Sequence, residues 1–515
     1  MINKIINKGK NRNLSDLILE EKQKGTSDFE IGRRYGVTYK QIERIITSSQ
    51  GLNISSLKKS VKIKSLHPKD FRLEQTSVWS FKQRGNWATH SGEYRGNWSP
   101  YIPRNIILRY SKPGDLVLDY FCGAGTTAIE CKLLGRRCTA IDINDKAIEL
   151  ARQKLDFDIY KRQLQFFEEI DNRETYEPDL ITGDARDLKF IDCDSVDLIC
   201  SHPPYSDIIH YTNKKEGDLS FLGIDDFLQE MTKVAEESFR VLKPGGICAI
   251  LIGDMRRNRN IIPLGFKLMD VYIKAGFQLR ELIIKRQHNC KTTGFWYANS
   301  LKYNFLLLAH EYLPVFQKPA HTFFIQEEAH QEKPLEVSHV KPLIKKQIKE
   351  LETSTVWIFP EEEFDALLDT NVIDRYWTSE GYTLINLCPS STHSKLNDNK
   401  KRNNKRNSLI YIKAVPPDDD NFDINAHLEK VKKILESNIQ TLNKNGIIAI
   451  LTKDLRNNGL IEPIAKNLVG KISFDDIVLK EIVIIAKNKN REIVNSINEY
   501  LEIAHYYLLV YQKKK

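Results

Sequence analysis

Between Val117 and Thr127 the chain reads Val-Leu-Asp-Tyr-Phe-Cys-Gly-Ala-Gly-Thr-Thr, an apolar strand running into a glycine turn with a helix start directly behind it. Glycines let backbone approach a ligand closely, and the free N–H groups of a helix start favour an anionic group. The spacing is not the dinucleotide fingerprint, which needs a third small residue where Thr126 and Thr127 stand. The next apolar run ends in Ala140-Ile141-Asp142, and an acid at a second strand tip suits the two hydroxyls of a ribose. Thr182-Gly183-Asp184 ends a third run, where Asp184 can accept from an adenine amino group. A fourth run, Asp197-Leu198-Ile199-Cys200, leads into Ser201-His202-Pro203-Pro204-Tyr205.

Asp119–Gly125, Asp142 and Asp184 resemble the first three motifs of S-adenosylmethionine-dependent methyltransferases. Ser201–Tyr205 is similar to the (Asp/Asn/Ser)-Pro-Pro-Tyr box of the DNA amino-methyltransferases among them, with His202 between the serine and the prolines. The resemblance spans about residues 76–315. It implies S-adenosylmethionine as cofactor, held by Asp119, Phe121, Gly123, Ala124, Gly125, Thr126, Asp142 and Asp184, and it implies a duplex DNA partner. An exocyclic amine is a poor nucleophile because its lone pair is delocalised into the ring. The Ser201 hydroxyl and the Pro203 carbonyl would accept its two N–H bonds, Pro203 and Pro204 would hold that carbonyl rigid, and Tyr205 would stack on the extruded base. His202 receives no role. Tyr94–Pro100 with Pro103-Arg104-Asn105 looks like the segment that caps the methionine end of the cofactor in this group; Arg95 or Arg104 is alternatively a ligand of DNA phosphate. Serine in the box is the form more usual for N4 of cytosine, which makes that the expected target and N6 of adenine the alternative. The glycine motif precedes the box, an order less usual among N4-cytosine enzymes. An RNA base methyltransferase and a non-catalytic DNA-binding regulator remain as other classes. No metal is expected.

These motifs need an α/β scaffold. Apolar runs at Leu116–Leu118, Thr139–Ile141, Leu198–Cys200, Ile247–Ile252 and Phe305–Ala309 read as buried parallel strands, with helices at 126–134, 145–155 and 225–241. The expected fold is a doubly wound Rossmann-like methyltransferase sheet over residues 61–318. Ahead of it, residues 1–60 hold a helix-turn-helix pattern with Gly36 at the turn, and 38–48 as the recognition helix that would offer Tyr39, Lys40 and Arg44 to DNA. That end carries much of the chain's basic surplus, and the whole chain has 77 Lys and Arg against 68 Asp and Glu.

Residues 319–350 read as a linker, and Thr392–Ser408 as a polar, basic loop. Residues 351–515 read as a degenerate copy of the first α/β unit. Gly246–Arg256 aligns without gaps to Gly446–Arg456, Val78-Trp79-Ser80-Phe81 echoes Val356-Trp357-Ile358-Phe359, and Pro203-Pro204 echoes Pro416-Pro417. The copy has no glycine loop, and Asp418 stands where an aromatic would stack, so a non-catalytic lobe that helps grip DNA is expected, or a structural or dimer-forming one. Hydrophobic residues at 41% and charged ones at 28% fit a globular chain. The 8 cysteines form no C-x-x-C pair. No run reaches the ~18 apolar residues of a membrane span. A cytoplasmic protein is expected, with a separately encoded restriction endonuclease as a conceivable companion; the oligomeric state is left open.

Overall fold

A computed structural model describes residues 14–23, 26, 28–37, 63–159, 174–288, 294–320, 336–340, 347–387, 407–488 and 499–514, less positions 93, 95, 213–214, 379–380 and 420–421. The first sheet draws on β1 (Val78–Ser80), β2 (Leu116–Asp119), β3 (Arg137–Asp142), β4 (Asp179–Thr182), β5 (Val196–Ser201) and β6 (Leu242–Ile250). A hairpin follows, β7 (Met255–Arg257) and β8 (Asn260–Ile262), then β9 (Gln278–Arg286) and β10 (His310–Gln317). The order across the sheet is β1-β9-β10-β6-β5-β2-β3-β4, all parallel except β10, which runs against both neighbours. Apolar alternation is absent from β5, for instance, because both faces of the sheet are covered.

One face packs the helices Tyr101–Tyr110, Thr126–Leu134 and Asp145–Leu155, and the other packs Ile224–Val241 and Leu264–Lys274. Ile224–Val241 shows why it lies flat on the sheet: Phe227, Met231, Val234, Ala235, Ser238 and Val241 form one buried stripe at helical spacing. β2 and β5 are adjacent, and the chain winds away from them in opposite directions. Their carboxyl ends therefore open the crevice where such sheets take ligands.

Three expected helices and the cores of β2, β3, β5 and β6 fall where the sequence puts them. Phe305–Ala309 does not form the last strand, which starts at His310. The run is apolar because it is wedged against the second half of the chain. Leu307 bridges Ser354, and Leu306 N–H donates to the buried Glu481 carboxylate. The expected linker contains a strand, β11 (Glu336–Val340), which edges a second sheet.

That sheet continues with β12 (Val356–Pro360), β13 (Tyr382–Asn386), β14 (Asn407–Lys413) and β15 (Leu442–Thr452), the hairpin β16 (Leu455–Asn457) and β17 (Leu460–Glu462), β18 (Ile477–Asn488) and β19 (His505–Lys513). Its order is β11-β13-β14-β15-β19-β18-β12, with β19 antiparallel to both neighbours and β12 parallel to β18. The two halves grip each other reciprocally. Arg256 of β7 pairs with Glu481 of β18, and Arg456 of β16 pairs with Glu281 of β9. Glu281 also accepts from Leu501 N–H, as Glu481 does from Leu306. Ser77 meets His505 and Thr355 meets His310, each at 2.8 Å. Removing one partner of a buried pair strands the other charge, at a cost of about 3 kcal/mol. Glu481→Ala should lower stability to denaturant by roughly that amount, and an unchanged unfolding midpoint would show that this contact does not hold the halves together.

At the other end, Leu14–Gln23 and Asp28–Tyr35 are helical and pack Ile18 on Ile31, with Gly36 left-handed at φ +66°. The expected recognition helix, with Tyr39, Lys40 and Arg44, lies outside the described residues, as does most of the 392–408 stretch. No described helix is long and apolar enough to cross a membrane.

Candidate functional site

Two cavities meet at the carboxyl ends of β2, β3, β4 and β5. The first is walled by Phe121, Cys122 and Gly123 of the glycine turn, Asp142 and Ile143 after β3, Gly183–Ala185 after β4, Pro204, and the aromatics Tyr94, Trp98 and Tyr211. Gly123 is left-handed at φ +51°, and a Cβ there would stand 3.0 Å from the Tyr94 ring. Gly125 is left-handed at φ +78° and caps the helix Thr126–Leu134. Gly123 N–H donates to Asp142 Oδ2 at 2.8 Å and Asn144 N–H to Oδ1 at 2.9 Å, so Asp142 is oriented by backbone with lone pairs to spare. Burial pushes its carboxyl up to about 6, against the pull of those two donors. The walls stand close, leaving a free volume of about 60 Å³.

The second cavity, about 480 Å³, is bounded by Phe81, Lys82, Arg84, His202, Pro203, Tyr205, Lys285, Arg286, His288 and Glu311. It shares Gly96, Asn97, Trp98, His202 and Tyr211 with the first, so these residues form the partition between the two. Arg84, on the side of the second cavity, fastens that partition, donating to the carbonyls of Asn97 at 2.7 Å and Trp98 at 2.8 Å. Trp98 stacks on His202, with ring centroids 5.6 Å apart.

A family profile described as DNA methylase matches residues 5–153 and 196–414, well over half the chain. The chain belongs to the DNA methylase family that modifies N6 or N4 amino groups. A second profile, a methyltransferase domain, matches residues 118–250, the stretch holding the glycine turn, both acidic strand tips and the Pro-Pro-Tyr box. The cofactor of this family is S-adenosylmethionine. Similar curated proteins include the Type II methyltransferase M.SmaI of Serratia marcescens, 30% identical over 19% of this chain and 32% of its own length. Another is the Type II methyltransferase M.HpaI of Haemophilus parainfluenzae, 43% identical over 19% of this chain and 30% of its own. The chain thus spans about a third of the length of these relatives. Among solved structures, a SAM-dependent methyltransferase from Methanosarcina mazei is 17% identical, with a TM-score of 0.29, covering 42% of this chain and 98% of that one.

In this chain the residues singled out from sequence fall into two groups. Phe121, Gly123, Asp142 and Asp184 line the first cavity, Pro204 reaches it, and Pro203 and Tyr205 line the second. Asp184 faces Arg186, whose guanidinium hydrogen-bonds both its oxygens. Asp119, Ala124, Gly125 and Thr126 lie beneath the turn rather than on the cavity wall. Asp119 accepts from Thr127 Oγ1 and Ser201 Oγ, both at 2.6 Å, and burial pushes it up to about 6. Ser201 departs furthest from the sequence reading. Its side chain is fully buried, donates to Asp119 and accepts from Phe121 N–H at 3.2 Å, and lines neither cavity. Side chains alternate along a strand, so if the last residue of β5 points down into the sheet the next one points up. His202 therefore faces both cavities. Arg104 is no phosphate ligand either: it is buried and paired with Glu130, which also receives Trp87 Nε1–H and faces His90. Tyr211, Asp218, Lys285 and Glu311 carry no sequence signal, since none belongs to a motif.

Proposed function

We propose that the chain transfers a methyl group to the exocyclic amine of a base turned out of duplex DNA, with N4 of cytosine as the favoured target. The observation that carries this reading is the partition itself. A cavity built on the glycine turn and Asp142 abuts, through His202 and Trp98, a second cavity built on Pro203 and Tyr205. When bound, S-adenosylmethionine supplies a methyl group on a positively charged sulfur. Asp142, Gly123 and Asp184 hold the nucleoside part of that cofactor, and the Tyr94–Trp98 segment covers its other end. The Pro203 carbonyl, kept rigid by its ring, accepts an N–H of the target amine and turns the lone pair towards the partition. Tyr205 stacks on the base. Ser201 acts at one remove, securing Asp119 below the turn. Adenine offers a similar amine, and the box residue that favours cytosine by family habit, Ser201, does not reach the cavity; N6 of adenine is therefore the second reading. Sequencing modified bases in DNA from cells expressing the gene identifies base and target motif together, and unmodified DNA from cells containing soluble protein would refute the activity.

Two further readings belong here. Residues 351–515 are taken as a degenerate methyltransferase-like lobe, a view supported by six strands, β12-β18-β19-β15-β14-β13, that repeat the order β1-β9-β10-β6-β5-β2, and by the reciprocal Arg–Glu pairs. In it Asp418 and Lys453, which pair at 2.6 Å, stand where Tyr205 packs on Gly253 in the first half. Residues 1–60 are taken as a DNA-binding helix-turn-helix. Deleting residues 1–50 should weaken duplex binding and flatten its salt dependence, whereas unchanged binding would remove that role.

The Asp142 carboxyl also sets a pH limit. It must be ionised to accept two hydroxyls, and it titrates at about 6. Cofactor affinity should therefore be full well above that point and fall towards tenfold per pH unit below it, in the limit of a single protonation. Calorimetric titration across pH should show this slope in the wild type and a shallower one in Asp142→Asn, where Asp119, also pushed up to about 6, is the group left to titrate beneath the turn.

A further inference from the structure

Behind Tyr205 stands a chain of hydrogen bonds that belongs to none of the motifs. Tyr205 Oη donates to Glu311 Oε1 at 2.8 Å, and Lys285 Nζ donates to Glu311 Oε2 at 2.7 Å. His202 Nε2 lies 2.9 Å from the same Tyr205 oxygen. Glu311 and Lys285 face each other across the β10–β9 pairing and come from a part of the chain remote from the box. Their side chains are 9% and 19% exposed, and both line the second cavity.

We propose that Glu311, clamped by Lys285, is a positioning residue for methyl transfer: its carboxylate takes the single O–H of Tyr205, fixing the tilt of the stacking ring and the direction of the bond to His202. The inference rests on the reading of Tyr205 as the base-stacking residue. With its proton given to Glu311, the tyrosine oxygen is left to accept, so His202 presents N–H to it and the protonated ring nitrogen is chosen. One carboxylate thus orders both rings at the edge of the two cavities.

The chain carries its own control. Pairing registers make Tyr506 and Ile485 of the second half the counterparts of Glu311 and Lys285, because Tyr507 opposes Ile484 as Tyr312 opposes Ile284. Purely structural polar groups recur in both halves. His310 meets Tyr312 and His505 meets Tyr507, at 3.0 and 2.9 Å, and Asp254 and Asp454 each cap the helix that follows through a backbone N–H. The Glu–Lys pair does not recur. It occurs in the half that has the glycine turn and Tyr205, where the other half has an apolar residue and an aromatic. A device needed only to hold the sheet together would be expected in both.

The charge on Glu311 is maintained by its neighbours. Burial works to raise the carboxyl, but Lys285 from β9, His202, and the Tyr205 hydroxyl outweigh it and hold it below the usual range. His310 also feels this carboxylate, and burial holds its imidazole down at about 3. Burial holds His202 at about 4, with Lys285 and Arg84 acting in the same sense and Glu311 against. Without Lys285 the carboxyl rises, becomes a donor, and reverses the bonds to Tyr205 and His202.

The test measures labelled methyl transfer from S-adenosylmethionine to long, unmethylated duplex DNA of mixed sequence, using the full chain. E311Q and Y205F should each slow turnover roughly tenfold with cofactor affinity unchanged, and the double variant should be no slower than either, since both break one bond. Y205F removes a single oxygen and serves if E311Q folds poorly. K285R should retain most of the rate. K285M should acquire a rate that falls as pH is lowered, because without the Lys285 charge burial raises the Glu311 carboxyl, whereas the wild type holds that carboxyl down and does not follow it. Wild-type transfer with E311Q equally fast, or with the losses of E311Q and Y205F additive, overturns the inference alone. A wild type that methylates no DNA overturns the proposed function and the inference with it.

Discussion

Tyr205→Ala is expected to bind S-adenosylmethionine as tightly as the wild type and to methylate duplex DNA at least about 10²-fold more slowly, the equivalent of the upper end of base–aromatic stacking at ~3 kcal/mol. The first half of that expectation follows from where the ring stands. Tyr205 lines the second cavity and not the one built on Gly123 and Asp142, so its truncation leaves the cofactor walls intact. The second half follows from what holds the ring. Its edge packs on Gly253, where an added Cβ would lie 2.8 Å from Cε2, and its hydroxyl is bound by Glu311 and His202. Alanine therefore removes the stacking surface and releases two polar partners together, and an extruded base loses the contact that offsets unstacking. Calorimetry for the cofactor and single-turnover methylation for the DNA step separate the two effects. Matching losses in both would mean that Tyr205 belongs to the cofactor wall.

The half of the site proposed to hold the nucleoside was legible in the sequence because its signals are local. An apolar run, a pair of glycines and a helix start lie within about ten residues, and parallel strands covered on both faces advertise themselves as uninterrupted apolar runs. Asp142 and Asp184 were found the same way, at the ends of such runs. The base-side cavity was legible only in part. Pro203 and Tyr205 belong to a contiguous box, but choosing between Ser201 and His202 depends on which way the last residue of β5 points, and composition does not contain that sign. Lys285 and Glu311 sit on the pairing of β9 with the reversed strand β10, where charged residues at a cavity rim read as an ordinary solvated face. Phe305–Ala309 misled in the opposite sense. It is apolar because it is buried between the two halves, and burial by a neighbouring lobe leaves the same trace in sequence as burial inside a sheet. The reciprocal arginine pairs were equally hidden: Gly246–Arg256 and Gly446–Arg456 align by eye, but that each arginine reaches the other half's glutamate is a property of the docking.

Gly123→Asp should abolish measurable cofactor binding, weakening it by more than about 10²-fold on three terms that act together. The position is left-handed at φ +51°, which costs an aspartate about 1 kcal/mol relative to glycine. A Cβ meets the Tyr94 ring at 3.0 Å, tighter than ordinary contact, and Tyr94 is itself buried against Ala124 and Tyr211, so it has little room to yield. The new carboxylate would also enter the cavity beside Asp142, whose Oδ2 already accepts the Gly123 N–H, and two carboxylates in one buried space raise each other's pKa. That disables the acceptor proposed for the ribose. Gly123→Ala isolates the first two terms and should weaken binding by roughly tenfold, while the unfolding midpoint of both variants reports whether the loss is local. If Gly123→Asp binds S-adenosylmethionine like the wild type, the glycine turn is not the cofactor's seat, and the partition between the two cavities loses its chemical meaning.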